Sequence, residues 1–289
     1  MTSTDRFDNC LLCGSSKLRT MAGYEKDYLC QCNSCGFVFC QVKPSEEVLN
    51  KHYSQYPRAR TIGEITLKRY DSLLDSFEPY RKNNNMIDVG CGDGHFLDSA
   101  KKRGWNVFGT EFTQEAIDVC EEKGIRMTKG PLLEQQYSSG TFDVVTSFEV
   151  IEHINTPQNE AKIFNTILRP GGIAYITTPN FNSISRNILG PKWNVIEYPE
   201  HLSYYTPRTL TQLFEQNNFE KIEISTTGIS LDRFRNSGSN QGNASVGADE
   251  QLRQRAESKV VFRLLKSIVN HTLNLTSKGD ALKALFKKN

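Results

Sequence analysis

The run from Met86 to Leu97 constrains this chain more than any other stretch. Met86-Ile87-Asp88-Val89 is short and largely apolar and reads as a buried strand. Gly90, Gly92 and Gly94 follow at every second position, and a helical pattern then opens with Phe96, Leu97 and Ala100 on one side. Strand, glycine turn and helix in that order set a ligand against the backbone at the carboxyl end of a parallel strand. Glycines let the main chain come close there, because a Cβ would occupy the ligand's space.

The chemistry of the turn narrows the ligand. A dinucleotide fingerprint requires a further glycine where this chain has His95. Asp88 and Asp93 make the turn acidic. Two carboxylates repel a pyrophosphate but suit a ligand that carries an ammonium and a sulfonium. That favours S-adenosylmethionine over NAD. The pattern Asp88-x-Gly90-x-Gly92-x-Gly94 resembles motif I of the class I S-adenosylmethionine-dependent methyltransferases. Asn106 to Glu111 reads as the second strand, ending on an acid 23 residues after Asp88, where a carboxylate accepts from ribose hydroxyls. Phe112 is placed to lie against the adenine, and Phe148, closing a fourth strand from Thr141, is expected at the same pocket. An aspartate often follows the third strand in this family, but here Lys129-Gly130-Pro131-Leu132-Leu133 stands instead. That leaves only backbone and Leu132 or Leu133 beside the adenine, and Leu132 is taken as the cofactor contact.

The cysteines describe a second unit. Six of eight lie in the first 40 residues, and the N-terminus lacks a basic-then-apolar export signal, so metal is favoured over disulfides and a cytoplasmic setting is expected. Cys10-x2-Cys13 and Cys32-x2-Cys35, 18 residues apart, have the spacing of a four-cysteine structural zinc site. Cys30 competes with Cys32 for a place in that set, and a redox pair or scattered buried thiols are the plainer alternatives. The segment is too short to bury a core without a staple. After it, Pro44-Ser45-Glu46-Glu47 and the tyrosines Tyr53 and Tyr56 form a connector. The ribbon and this connector together resemble a bacterial family that leads into a methyltransferase domain, whose members are associated with surface-polysaccharide or sugar-nucleotide modification.

The block Phe142-Asp143-Val144-Val145 followed by Glu149-x-x-Glu152-His153 resembles methyltransferases related to the ubiquinone O-methyltransferases. The resemblance implies that Glu149, Glu152 and His153 lie beside a metal or the acceptor. An imidazole can take a proton from an acceptor hydroxyl near neutral pH, so His153 is a candidate base with Glu152 beside it, against the alternative that His153 caps a loop. Many methyl transfers need proximity alone. His201 and Tyr204 are further acceptor candidates, as are the loops around Asn180, Asn182 and Trp193. Thr156-Pro157 and Thr206-Pro207 read as helix starts, with threonine as cap. Leu168-Arg169-Pro170-Gly171-Gly172 reads as a turn before a fifth strand, Ile173 to Thr178.

The C-terminal part carries its own signals. Residues 236–250 are almost free of apolar side chains and read as a mobile insertion. Residues 251–289 hold nine Lys and Arg against two acids, a balance of +7 that leaves −5 for the rest of a chain of net charge +2. The amphipathic stretch from Val260 to Ile268 is either a basic helix that contacts a membrane surface peripherally or ordinary packing ahead of a last strand, Ala281 to Phe286. No run is long enough to span a bilayer. The expected fold is thus α/β: a zinc ribbon at 1–43, a helical connector at 44–82, and a Rossmann-like, seven-stranded doubly wound domain at 83–289. The expected activity is methyl transfer from S-adenosylmethionine to a small polar acceptor of the sugar-nucleotide or glycan-precursor class. The alternatives are an RNA or quinone methyltransferase and an inactive binding module. Nucleic acid is disfavoured, because residues 10–40 carry only Lys17, Arg19 and Lys26 against Glu25 and Asp27.

Overall fold

The computed structural model describes residues 5–45, 47–49, 62–230 and 260–289. The mobile insertion expected at 236–250 and the connector tyrosines Tyr53 and Tyr56 lie outside these residues. In chain order the strands are β1 (Leu18–Thr20), β2 (Leu29–Cys32), β3 (Val38–Cys40), β4 (Asn85–Val89), β5 (Asn106–Glu111) and β6 (Arg126–Lys129). Then follow β7 (Phe142–Phe148), β8 (Leu168–Pro179), β9 (Ser203–Tyr204), β10 (Phe219–Thr227) and β11 (Ala281–Lys288).

Two sheets result. The large one has seven strands in the order β10-β11-β8-β7-β4-β5-β6. β4 to β8 run parallel through their ladders, and β11 is inserted antiparallel between β8 and β10. Strands β4 and β7 are buried along nearly their whole length, as expected of central parallel strands covered by helices on both faces. Helix Glu64–Phe77 presses Leu74 and Phe77 onto Met86, Val144 and Ile173, next to Phe96 and Leu97 of helix His95–Lys102. Helices Pro157–Ile167 and Pro207–Glu215 cover the other face with Phe164, Ile167, Leu213 and Phe214. Strand order reverses at β4, so the crevice that opens there is where an α/β sheet of this kind takes its ligand.

The small sheet has the order β1-β2-β3-β9, and its fourth strand comes from residues 203–204, far along the chain. Val38 is paired with Tyr204 and Phe39 with Ser203. Phe37 and Phe39 pack into the main core with Tyr205. Tyr24, Leu29, Val38 and Cys40 build a separate cluster with Phe181, Trp193, Val195, Ile196, Leu202 and Tyr204. Apolar area buried on both faces ties the cysteine-rich segment to the loop that follows β8.

Several local expectations need correction. Thr156 has no side-chain capping bond, because its ψ of 55° departs from the extended geometry a cap adopts, whereas Thr206 Oγ1 does accept from the Thr209 amide. Strand β8 starts at Leu168 and not at Ile173: Phe142 pairs with Leu168 and Val144 with Ile173, so the residues between bulge within one strand. A buried ion pair holds that bulge, with Arg169 Nε 2.6 Å from Asp143 Oδ1. Burial alone would raise the Asp143 carboxyl, but the amides of Asn83, Lys82 and Asn84, together with Arg169, hold it below the usual range. Helix Val260–Leu275 packs on the sheet: Asn274 Oδ1 and Asn270 Oδ1 each accept, at 2.9 Å, from the amides of Thr226 and Gly228. The packing ahead of a final strand is present, and Ile268, Val269 and Leu275 on the same helix are exposed.

Candidate active site

The cofactor turn is built by local geometry. Gly90, Gly92 and Gly94 all have φ between 53° and 68°, the left-handed region in which L side chains are strained. A Cβ on Gly94 would meet Cys120 Sγ and Ile125 Cδ1 at 2.7 Å, and one on Gly90 would meet Val150 Cγ2 at 2.7 Å. Asp88 is buried beneath the turn and accepts from Thr146 Oγ1 at 2.7 Å. Burial pushes its carboxyl up to about 7, with the Thr146 hydroxyl opposing and the Glu111 charge adding to the rise. Glu111, at the end of β5, accepts through Oε2 from the Gly92 amide at 3.1 Å and through Oε1 from the Phe112 amide at 2.7 Å. The turn therefore orients the Glu111 carboxylate. Phe112 is 48% exposed beside it. Leu132 is turned into the main core, whereas Leu133 is exposed. Phe148 is half-buried, with its ring 5.0 Å from that of Phe96 and 5.7 Å from that of Tyr175.

Beyond β7 the chain forms a second cluster. Glu149 has φ of 54°, an uncommon conformation for a residue with a side chain, and its amide donates to Thr177 O at 3.0 Å. The turn that follows carries Glu152 and His153. Glu152 is buried and accepts from Thr178 Oγ1 at 2.9 Å; burial, then the Glu149 charge, push its carboxyl well above the usual range. The His153 and His201 rings stand edge to face with centroids 4.8 Å apart. His153 Nδ1 lies 2.9 Å from Glu200 O, and His201 Nδ1 lies 2.5 Å from Val195 O. A carbonyl oxygen only accepts, so both Nδ1 atoms must carry the proton, and in the neutral ring Nε2 is then the acceptor. One ligand atom from each of Glu152, His153 and His201 falls within a 4.8 Å cluster. Sequence reasoning named all three, but it missed Thr178, Glu200 and Val195, whose contacts depend on folding distant segments together.

Other acceptor candidates are placed differently from expectation. Trp193 and Tyr204 are buried against the ribbon, where apolar packing outweighs exposure to a ligand. Asn180 is fully buried and donates to Ser277 O and Gly279 O at 3.0 and 2.8 Å, while Asn182 Oδ1 accepts from Lys278 Nζ at 2.7 Å. These two amides hold the loop ahead of β11.

The four ribbon thiols converge. Cys10 Sγ is 3.6 Å from Cys35 Sγ, Cys13 Sγ is 3.6 Å from Cys32 Sγ, and the four sulfurs lie within 4.8 Å of one another. Sulfurs about 2.3 Å from a tetrahedral zinc stand about 3.8 Å apart, so this donor set fits the ion. Cys32, not Cys30, is the third member of the cluster. Burial opposes ionisation of Cys32, but the amides of Cys35 and Ser34 and the Cys13 thiol bring it down to about 7.

A family model described as a methyltransferase domain matches residues 62–224. The chain belongs to that family. Among curated relatives, the ubiquinone biosynthesis O-methyltransferase of Aeromonas salmonicida is 29% identical over 188 residues, covering 61% of this chain and 79% of the relative. The enzyme of the same description from Vibrio parahaemolyticus is 24% identical over 202 residues, covering 65% and 85%. Among solved structures, a SAM-dependent methyltransferase from Archaeoglobus fulgidus has a TM-score of 0.54 at 18% identity, over 84% of this chain and all of the other. Geranyl diphosphate C-methyltransferase from Streptomyces coelicolor, in complex with Mg2+, geranyl diphosphate and S-adenosyl-L-homocysteine, has a TM-score of 0.52 at 12% identity, over 77% of each chain. These two likenesses carry the fold. The chain is an S-adenosylmethionine-dependent methyltransferase. The matched region starts after the ribbon, so that segment is additional to the family domain. Among the described residues, no helix is long and apolar enough to cross a membrane.

Proposed function

We propose that this methyltransferase transfers a methyl group to a hydroxyl of a small polar acceptor, with His201 or His153 taking the acceptor's proton. The observation that carries this reading is the paired Nδ1–H···O=C bonds, which leave both Nε2 atoms as acceptors at the carboxyl end of the sheet. The bound cofactor supplies a sulfonium methyl open to displacement. Asp88, Gly90, Gly92, Gly94 and Glu111 hold it, with Glu111 on the ribose hydroxyls and Phe112 and Phe148 beside the adenine side of the crevice. Glu152, whose carboxyl burial pushes well above the usual range, accepts from Thr178 Oγ1 and stands beside the two histidines. Proximity provides most of the acceleration. The ribbon, residues 1–43, holds one structural zinc on Cys10, Cys13, Cys32 and Cys35 and serves the catalytic domain at 83–289.

The acceptor class we infer is a sugar nucleotide or glycan precursor, which rests on the family resemblance of the ribbon and connector. The test is transfer from labelled S-adenosylmethionine to three pools: nucleotide sugars, total RNA and lipid extract. Label in the nucleotide-sugar pool is expected. Label confined to RNA or lipid would overturn the acceptor while leaving methyl transfer intact.

A second reading has one observation in its favour. Glu152, His153 and His201 also have the donor set and spacing of a divalent-cation site. Metal content separates the two: one zinc per chain supports the base, and a second ion that disappears in His201→Ala supports the cation.

A further inference from the structure

Cys40 stands outside the four-thiol cluster, at the end of β3, and it is buried. Its amide donates to Leu202 O at 2.8 Å. Its thiol has one proton and two acceptors in reach, Asp27 O at 3.1 Å and His201 O at 3.4 Å. Burial, with the nearby Asp27 charge, pushes the thiol upward, so it keeps that proton and remains a donor. Tyr204 Oη donates to the same His201 carbonyl at 3.0 Å. On the opposite side of this segment, the Leu202 amide donates to Glu152 O at 2.7 Å and Ser203 Oγ donates to Ile154 O at 2.8 Å. His153 closes the circuit through Glu200 O. The peptide that carries His201 is thus gripped between the ribbon's third strand and the Glu152–His153 turn.

We propose that β3 of the ribbon is a positioning element of the transfer site, and that Cys40 is the residue through which it sets the His153–His201 pair. The proposal rests on the reading of those histidines as the proton-accepting groups. It gives the ribbon a part at the transfer site: the four-thiol cluster braces the strand that holds the histidine peptide. The Cys40 amide holds Leu202 O, its thiol shares one proton between Asp27 O and His201 O, and a reacting group displaced by about 1 Å loses on the order of 10²-fold in rate. A covalent or redox role for Cys40 is not needed.

The test uses full-length, zinc-loaded protein with S-adenosylhomocysteine bound, and it reads histidine-ring NMR resonances in Cys40→Ala and Cys40→Ser. In Cys40→Ala the His201 and His153 resonances should move beyond their linewidths while those of His95 and His271 stay. Cys40→Ser, which keeps a donor, should return them towards the native positions. S-adenosylmethionine affinity should be unchanged, and turnover at saturating cofactor should fall by about tenfold. Unmoved His201 and His153 resonances in Cys40→Ala would overturn the proposal. Should that variant fail to fold, amide hydrogen exchange of the native protein before and after zinc chelation decides the matter. Exchange at Leu202 and Ser203 faster by about tenfold or more supports the coupling, and unchanged exchange there overturns it. Failure of the histidine reading is seen separately, as full turnover in His201→Ala, and does not alter either spectroscopic outcome.

Discussion

The cofactor turn and the histidine corner lie at the same end of one sheet, yet they are built in opposite ways. The turn is a contiguous piece of chain whose shape follows from three left-handed glycines, one buried aspartate and one carboxylate across the next loop. The corner is assembled from Cys40, the Glu152–His153 turn, Val195 and the Glu200–Ser203 segment, joined by bonds to main-chain carbonyls. A contiguous motif fails only when its own residues change. An assembled one fails when any distant support is withdrawn. The two halves of the reaction, holding the cofactor and positioning the acceptor's proton, are therefore expected to break independently.

The largest effect should come from the most distant support. Cys13→Ser removes one of the four candidate ligands, so zinc should be lost and residues 10–40 should loosen, although Phe37, Phe39 and Val38 still pack on the catalytic domain. Metal analysis and hydrogen exchange over 10–40 and 198–205 measure this, with binding of S-adenosylmethionine retained. Next, His201→Ala or His153→Ala at saturating cofactor should lower turnover by about 10²-fold, since a positioned base contributes that much. Turnover equal to native in both variants would leave proximity as the mechanism. Glu111→Ala acts on the other half alone: affinity for S-adenosylmethionine should weaken by roughly 1–3 kcal/mol through lost charged hydrogen bonds, with no change in the histidine resonances.

The smallest effect is a pH dependence confined to the turn. Asp88 has a folded value of about 7, above its unfolded one, so the protein loses stability as pH rises from the ordinary aspartate range through about 7. A bound cation offsets that loss. Affinity for S-adenosylmethionine should therefore rise with pH through about 7 and then level off, by several-fold at most, and Asp88→Asn should flatten the profile. Calorimetry at pH 5.5, 7 and 8.5, values chosen to bracket that transition, provides the check.

The same contrast explains what was legible in the sequence. Asp88, Gly90, Gly92, Gly94 and Glu111 could be named because the strand, the turn and the acid recur at short spacings set by backbone geometry. The four zinc-ligand candidates were legible for the same reason, although spacing alone left Cys30 and Cys32 tied, and only the fold of β2 separates them. His153 and His201 could be named by residue type but not as a pair, because 47 residues lie between them. Trp193 and Tyr204 were misplaced towards the acceptor. Their partners Tyr24, Leu29 and Val38 belong to the ribbon, and nothing in the local pattern announces a strand pairing as remote as Val38 with Tyr204. Asp143 and Arg169 form a buried pair that no local spacing reveals.

One calorimetric series tests the central claim most directly: S-adenosylmethionine titrated into the native protein, Glu111→Ala and Cys13→Ser under one set of conditions. The account predicts binding to the native protein, clear weakening in Glu111→Ala and native affinity in Cys13→Ser. Loss of affinity in Cys13→Ser as great as that in Glu111→Ala, or no binding by the native protein, would contradict it.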